Sequence, residues 1–330
     1  MRIAFIEPHL DIFGGIRRVI EFSNRFVERG ADVTIYHPTG KPCSWMPSSA
    51  GTRKTQDIYR ESHDILIFNN PPDYKIARRA RATLKVFYIL ALYERDKLKR
   101  FDPKIFWPRK GRMLSLKRCL QLPFLKVSNA TWMQEWLRAN LGLNTLLQLG
   151  GVNRELFHPV DGARRDDGVF RILCSGDART HKGTATVREA VDRVRHAHPH
   201  VELNTYHGRG IPQNEMAAFY AAHDLFVDAQ WYAGWNNPVV EAMACGVPVV
   251  CSDIGGVADF AFHERTALLA PLRDTQALAD AISRMVDTPT LREELSRNAL
   301  DRVEEFDWER AADDFLALLE RECVSAREAA

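Results

Sequence analysis

Residues 231–253 read WYAGWNNPVVEAMACGVPVVCSD: a loop, a short helix with a carboxylate one turn inside, a glycine stop and an apolar strand. Asn237 is a good helix N-cap, and Pro238 suits the first helical position because its missing N–H would have no partner there. Gly246 ends the helix, and 247–251 reads as a strand buried on both faces. Such a helix turns free N–H groups and a positive dipole end toward whatever precedes it, which suits a phosphate. Glu241, one turn in, can accept hydrogen bonds from two adjacent sugar hydroxyls. The same residues read equally well as an ordinary loop–helix–strand unit with a solvated Glu, so the segment alone decides the fold class and leaves the chemistry open.

The same alternation runs outward in both directions. Strands are expected at 2–7, 31–37, 64–68, 84–90, 124–127 and 145–149. Gly14-Gly15 opens a helix whose apolar positions Val19, Ile20, Phe22, Phe26 and Val27 follow helical spacing. A boundary follows Gly150-Gly151, and the polar stretch 159–168, PVDGARRDDG, suits an exposed connection. The pattern then restarts, with strands at 170–175, 201–206, 224–229 and 267–269 and helices at 184–195, 214–222, 275–287, 289–304 and 308–322. Alternating strands and helices imply parallel sheets covered on both faces. The expected fold is α/β, two Rossmann-like domains facing each other across a cleft at the carboxyl ends of their strands.

At 330 residues the chain fits two domains of ordinary size, and 45% apolar with 27% charged residues is the balance of a globular enzyme. No apolar run approaches the length that crosses a bilayer. The opening MRIAFIEPHLDIFGG reads as a first strand rather than a signal peptide. Six scattered cysteines lack C-x-x-C spacing, and Cys174, Cys245 and Cys251 sit in apolar surroundings as small core residues. A reducing cytoplasm is the simplest home.

A net charge of +2 conceals a division: residues 1–150 hold 26 Lys and Arg against 13 Asp and Glu, and residues 151–330 hold 19 against 30. Halves so different are expected to meet different partners. The basic excess is densest across 95–126, where Phe101, Phe106, Trp107 and Phe124 are interleaved with Lys and Arg. That mixture suits peripheral contact with an anionic membrane, each cation contributing about 1 kcal/mol near the surface. A solvated charged helix is the plainer reading. Nucleic acid would reward the same charge, but no nucleic-acid-binding motif accompanies it.

With these residues in view, the chain resembles a retaining glycosyltransferase of family 4, glycogen synthase- and mannosyltransferase-like, in the GT-B arrangement. NPVVEAMACGVPVVCSDIGGVADF is similar to that family's "P-x-x-E-A-M-A-x-G-x-P-V-V…G-G" signature. Gly150-Gly151-Val152-Asn153…Phe157-His158-Pro159 resembles its "G-V-D…F-x-P" crossover, and Ser175-Gly176…Lys182-Gly183 its "G-R-x…K-G" phosphate segment. HDLFVDA at 223–229 looks like the strand leading to the donor site, and Phe306-Asp307-Trp308 like the start of the final helix.

The resemblance implies a division of labour. Residues 1–150 would bind the acceptor and 151–306 a nucleotide-sugar, and a helix over 307–330 would cross back to the first domain. Glu241 would hold the nucleotide ribose. Lys182 would neutralise the pyrophosphate, with the N–H groups around Gly14 and Gly15 closing over it. A leaving nucleoside diphosphate gains negative charge, so placed cations and dipoles lower the barrier. The donor is a substrate, no cofactor is implied, and no metal-ligand cluster stands out.

Three positions depart from the family pattern. A second Glu is usual eight residues before Glu241, where this chain has Ala233; Asn236 and Asn237 are the nearest polar candidates for sugar hydroxyls. The Arg usual after the phosphate-segment glycine is Asp177 here, leaving Arg179 as the candidate for that phosphate. Many members carry an acceptor-side His where this chain has VFYILALYERD at 86–96, leaving Tyr88, Tyr93 and Glu94 as candidates.

Other residues weigh less. His181 is either a functional neighbour of Lys182 or a loop residue, and His207 either flanks the base or is surface. Trp231, Tyr232 and Trp235 either stack on a ligand or fill a core, with Trp235 favoured for the ligand because it lies among polar loop residues. Gly255-Gly256 either admits backbone close to the donor or makes a turn. The leading expectation is a cytoplasmic transferase moving a hexose or deoxyhexose to a lipid-linked or saccharide acceptor in cell-surface polysaccharide assembly. The alternative, supported by Ala233, is a nucleotide-sugar-binding protein without turnover. A same-fold epimerase or phosphorylase ranks behind both: an epimerase needs more acid/base groups, and no phosphorylase cofactor-lysine motif is present.

Overall fold

The computed structural model describes residues 1–92 and 110–329. The chain divides into two compact units, Met1–Gly150 together with Trp308–Ala330, and Gly151–Asp307.

The first unit is a parallel sheet in the order β3-β2-β1-β4-β5-β6-β7 among the described residues. Its strands are β1 (Arg2–Ile6), β2 (Asp32–His37), β3 (Gly51–Lys54), β4 (Ser62–Phe68), β5 (Arg81–Ile89), β6 (Leu125–Ser128) and β7 (Leu146–Leu147). Side chains alternate across the sheet. Phe5, Ile35, Ile67, Val86 and Tyr88 face α1 (Gly14–Glu28) and α10 (Trp308–Glu328). Ile6, Tyr36, Leu66, Phe68 and Phe87 face the side of α2 (Tyr74–Arg79), α3 (Lys110–Gln121) and α4 (Thr131–Leu141). The short edge strand β3 was not expected: GTRK is largely exposed and carries no apolar alternation to betray it.

Helix α10 is held to this unit by aromatic packing and ion pairs. Phe315 meets Phe22 edge-on with centroids 5.0 Å apart, and Tyr88 at 5.2 Å. Arg29 pairs with Asp313 and Glu309, and Arg327 with Asp64.

The second unit is a parallel sheet in the order β12-β11-β10-β8-β9. It comprises β8 (Phe170–Cys174), β9 (Val201–Thr205), β10 (Leu225–Asp228), β11 (Val249–Ser252) and β12 (Leu268–Ala270). The helices are α5 (Thr184–Arg195), α6 (Met216–Ala221), α7 (Asn237–Ala244), α8 (Thr275–Asp287) and α9 (Pro289–Val303). From β8 the chain steps outward to β9, then returns to place β10 on the other side of β8. The crevice outside the carboxyl ends of β8 and β10 is therefore the switch point at which open α/β sheets bind ligands. The chain enters and leaves the unit side by side, the Val152 N–H bonding to the Phe306 carbonyl at 2.8 Å.

The helix that opened the sequence reading begins one residue earlier than expected. Asn237 is its first residue rather than its N-cap, Pro238 occupies the second position, and no side chain caps the end. Asn236 precedes the helix, and its amide is committed elsewhere, to Asp228. Cys174, Cys245 and Cys251 are buried as expected, and burial pushes the Cys174 thiol up to about 11.

Truncating Phe315 to alanine removes a fully buried ring from between α1 and β5. Phe315→Ala is expected to cost about 3–5 kcal/mol in the first unit, read by urea unfolding; a loss under about 1 kcal/mol would mean that α10 is not part of that core.

Candidate functional site

The sequence candidates of the second unit gather at the carboxyl edge of its sheet, beyond β8, β9 and β10. Lys182 closes a single 3-10 turn, Thr180–Lys182, directly before α5. Gly183 links turn and helix at φ +69°, and a Cβ there would stand 1.9 Å from the Ala229 carbonyl oxygen. Only glycine lets the Lys182 turn sit this close to the end of β10. The Lys182 ammonium donates to Gln230 Oε1 at 2.8 Å. Burial pulls its pKa below the ordinary lysine value, while Asp228 acts to raise it.

Asp228 is the last residue of β10 and only 5% exposed. Its Oδ1 accepts the Gln230 backbone N–H at 3.0 Å and the Asn236 side-chain amide at 3.1 Å. Burial raises its carboxyl above the ordinary value, and the Gln230 N–H, Lys182 and Asn236 oppose that shift. Gln230 is itself tied down, its amide donating to the Tyr232 carbonyl at 2.7 Å. Cation, buried carboxylate and two amides thus form one rigid polar post at the switch point.

Glu241 stands on α7. The Tyr220 hydroxyl donates to its Oε2 at 3.3 Å, and Tyr220 packs against Tyr206, centroids 5.9 Å apart. Burial, then the charges of Glu241 and Asp228, hold the Tyr206 phenol above its usual range. Tyr206 thus lies near both carboxylates, and Asp228 near Lys182.

Gly176 follows β8 at this edge. Arg179 is half exposed and clamped on Asp177, with Nε to Oδ1 at 3.1 Å and Nη2 to Oδ2 at 2.5 Å. The Arg expected to take a phosphate is thus already satisfied by the Asp that departs from the family pattern. Burial would raise the Asp177 carboxyl, but the Arg179 hydrogen bonds outweigh it and hold the group down at about 2. His207 is exposed just after β9, its backbone N–H donating to the Ser175 carbonyl at 2.8 Å, and it lies close enough to help lower Asp177. His181 stacks flat on Tyr232 at 5.0 Å. Arg273 sits 3.8 Å above the Trp231 ring.

One expectation is corrected here. Trp235 is a core residue rather than a ligand platform, packing edge-on against Phe260 at 5.0 Å and Phe306 at 5.2 Å. A tryptophan between polar residues still turns inward when an aromatic pocket lies beneath it. The Gly255-Gly256 pair makes a turn: Gly256 is pressed against Ala233, and its carbonyl accepts the Asn236 N–H at 2.9 Å.

In the first unit, Gly14 and Gly15 are the first residues of α1, whose opening turn carries no acidic residue. Tyr88 was a candidate for contacting an acceptor, and the structure places it in the core instead. Its hydroxyl accepts from Arg18 at 2.8 Å and donates to the Gln148 carbonyl at 2.9 Å. Tyr93 and Glu94 lie outside the described residues, as do 95–109 of the basic segment. Among the described residues, no group of three or more His, Cys, Asp or Glu side chains is arranged to hold a metal ion.

Known proteins resemble this chain in sequence and in fold. Residues 160–288 match the family described as Glycosyl transferases group 1. Sucrose-phosphate synthase from Thermosynechococcus elongatus superposes with a TM-score of 0.78 at 19% identity, covering 98% of this chain and 99% of that one. Anabaena HepE in complex with UDP-glucose gives 0.72 at 17% identity, covering 97% and 100%. The fold is therefore that of the GT-B glycosyltransferases. In sequence, D-inositol 3-phosphate glycosyltransferase of Pseudarthrobacter chlorophenolicus is 28% identical over 195 residues, 49% of this chain and 46% of that protein. The matched residues lie within the second unit. The chain spans about half the length, or less, of the curated relatives it matches.

The Asp177–Arg179 clamp carries a pH signature. A carboxyl held at about 2 when folded contributes its stability in full above its unfolded value of about 4 and loses it as pH falls through about 2. Melting temperature measured between pH 5 and pH 2 should fall more steeply for the wild type than for Asp177→Asn; parallel curves would mean that the clamp does not form.

Proposed function

We propose that this chain is a retaining glycosyltransferase that moves a hexose or deoxyhexose from a nucleoside-diphosphate sugar to a lipid-linked or saccharide acceptor. What supports the reading is Lys182 tied to Gln230, whose N–H holds Asp228 at the end of β10, with Glu241 on the helix that the same loop leads into. A carboxylate and an ammonium on segments that follow the carboxyl ends of this sheet suit the two ends of a nucleoside diphosphate. Adjacent ribose hydroxyls donate to Glu241, and the pyrophosphate draws charge from Lys182 as the glycosidic bond breaks. The positive end of the α7 dipole favours the same anion. Neutralisation is assigned to these groups, and no residue is assigned to a metal.

A desolvated lysine suits this task. Water excluded around Lys182 strengthens its pull on the charge that develops on the leaving group, more than on the ground state. Arg179 is spent on Asp177 and is not assigned a catalytic part. One finding favours a second reading, binding without turnover: position 233 is an alanine packed against Gly256. The two readings differ in whether sugar is transferred, and the same assay separates them.

The acceptor belongs to the basic first unit in this proposal. Charge across 95–126 fits a lipid-linked acceptor at the cytoplasmic face of an anionic membrane, within polysaccharide assembly. No helix among the described residues is long and apolar enough to cross a membrane.

Glu241→Ala is expected to weaken binding of the cognate nucleoside diphosphate about 10- to 100-fold by calorimetry. Lys182→Ala should lower kcat by roughly 10²–10³ while ground-state affinity changes far less. A Glu241→Ala protein that holds nucleotide as well as the wild type would refute the assignment; wild-type binding with no release of nucleoside diphosphate across donors and acceptors would favour the second reading. Docking through 95–126 predicts sedimentation with vesicles containing anionic lipid that fades as salt is raised; equal sedimentation with neutral vesicles would remove the electrostatic argument.

A further inference from the structure

We propose that Asp228 is the carboxylate that reads a hydroxyl of the transferred sugar, taking the part that Ala233 cannot. The inference rests on the nucleotide-sugar reading above and adds the residue that recognises the sugar itself. Ala233 is buried with its methyl group against Gly256, where a Cβ would stand 2.5 Å away, and it has no polar atom to offer. Asn236, three residues on, bonds through its N–H to the same Gly256 carbonyl. Its side-chain amide reaches back to Asp228, so the loop delivers a polar hold on that carboxylate instead of a carboxylate of its own.

The two oxygens of Asp228 are used unequally. Oδ1 takes both hydrogen bonds, from the Gln230 N–H and the Asn236 amide, and Oδ2 takes neither. An ionised carboxylate only accepts, so the group that Oδ2 meets must be a donor. A phosphate offers none and carries like charge, which leaves the hydroxyls of the uncharged sugar next to the pyrophosphate that Lys182 draws in. Lys182, close enough to favour the charged form of Asp228, opposes the burial that raises its carboxyl.

Asn236 supplies a second observation. It is 1% exposed, and its Oδ1 is buried with no hydrogen-bond partner. An amide left half satisfied in the interior is costly and calls for a reason. Pinning Asp228 in one orientation is that reason, because recognition of a hydroxyl fails when the acceptor is free to turn. Asn236 is then a positioning residue, acting on the sugar through Asp228.

Asp228→Asn separates this role from a structural one, since its amide oxygen still accepts from Gln230 and Asn236 while the second acceptor and the charge are lost. Calorimetry would use UDP, GDP, ADP and dTDP, and the glucose, mannose or rhamnose conjugate of whichever nucleotide binds. The variant should keep its melting temperature and hold the bare nucleotide within about threefold of the wild type. Affinity for the conjugate, and kcat/KM where transfer is seen, should fall about tenfold or more. Asn236→Ala leaves the carboxylate in place but unpinned, and should show the same split with a smaller loss.

Conjugate binding that is unchanged in Asp228→Asn would overturn the proposal. So would parallel loss of nucleotide and conjugate, which would put Asp228 at the phosphates. A wild type that binds none of the nucleotides would instead overturn the reading on which the proposal rests.

Discussion

A carboxylate buried at the end of a hydrophobic strand constrains everything around it. Asp228 closes β10, whose other residues are fully buried and apolar, and cannot be solvated in the usual way. Charge in that position persists only if hydrogen bonds and a countercharge are supplied locally. Gln230, Asn236 and Lys182 supply them, and each draws a different piece of backbone to the same edge of the sheet. The 3-10 turn before α5, the loop after β10 and the start of α7 are thus fixed relative to one another. A glycine at 183 is the steric condition for that convergence.

This constraint explains the division between rigid and adaptable parts of the site. The Lys182–Gln230–Asp228–Asn236 network is interlocked and largely inaccessible, as suits groups that must meet a ligand in a set geometry. Glu241 is half-buried and braced by Tyr220 from below. Arg179, clamped on Asp177, and His207 lie toward solvent. Electrostatic stabilisation is strongest where water is excluded, which is why Lys182 rather than Arg179 is proposed as the cation that acts on a leaving group.

Much of this was legible in the sequence, for physical reasons. Apolar periodicity marks strands and helices that bury a face, so β1, β2, β5, α1, α5 and α8 emerge within a few residues of their observed ends. The edge strand β3 buries almost nothing and left no such mark. Glu241 and Lys182 were visible because the roles proposed for them call for charged residues within motifs that resemble a family pattern. Asp228, Gln230 and Tyr220 were not, because their roles arise from contacts between segments far apart in sequence. The one signal for Asp228 was a charge ending an otherwise apolar run in HDLFVDA. Trp235 and Tyr88 mislead in the opposite direction: polar neighbours around Trp235 and the family position of Tyr88 say nothing of the aromatic pocket or the arginine that each meets in space.

The account depends on a single nucleotide spanning the post formed by Asp228. A crystal structure of the chain with its tightest-binding nucleoside diphosphate tests this most directly. The account predicts ribose hydroxyls on the Glu241 carboxylate and pyrophosphate oxygens within hydrogen-bonding distance of the Lys182 ammonium, both on one molecule. A nucleotide that touches only one of these side chains, or lies away from the carboxyl ends of β8 and β10, would contradict it.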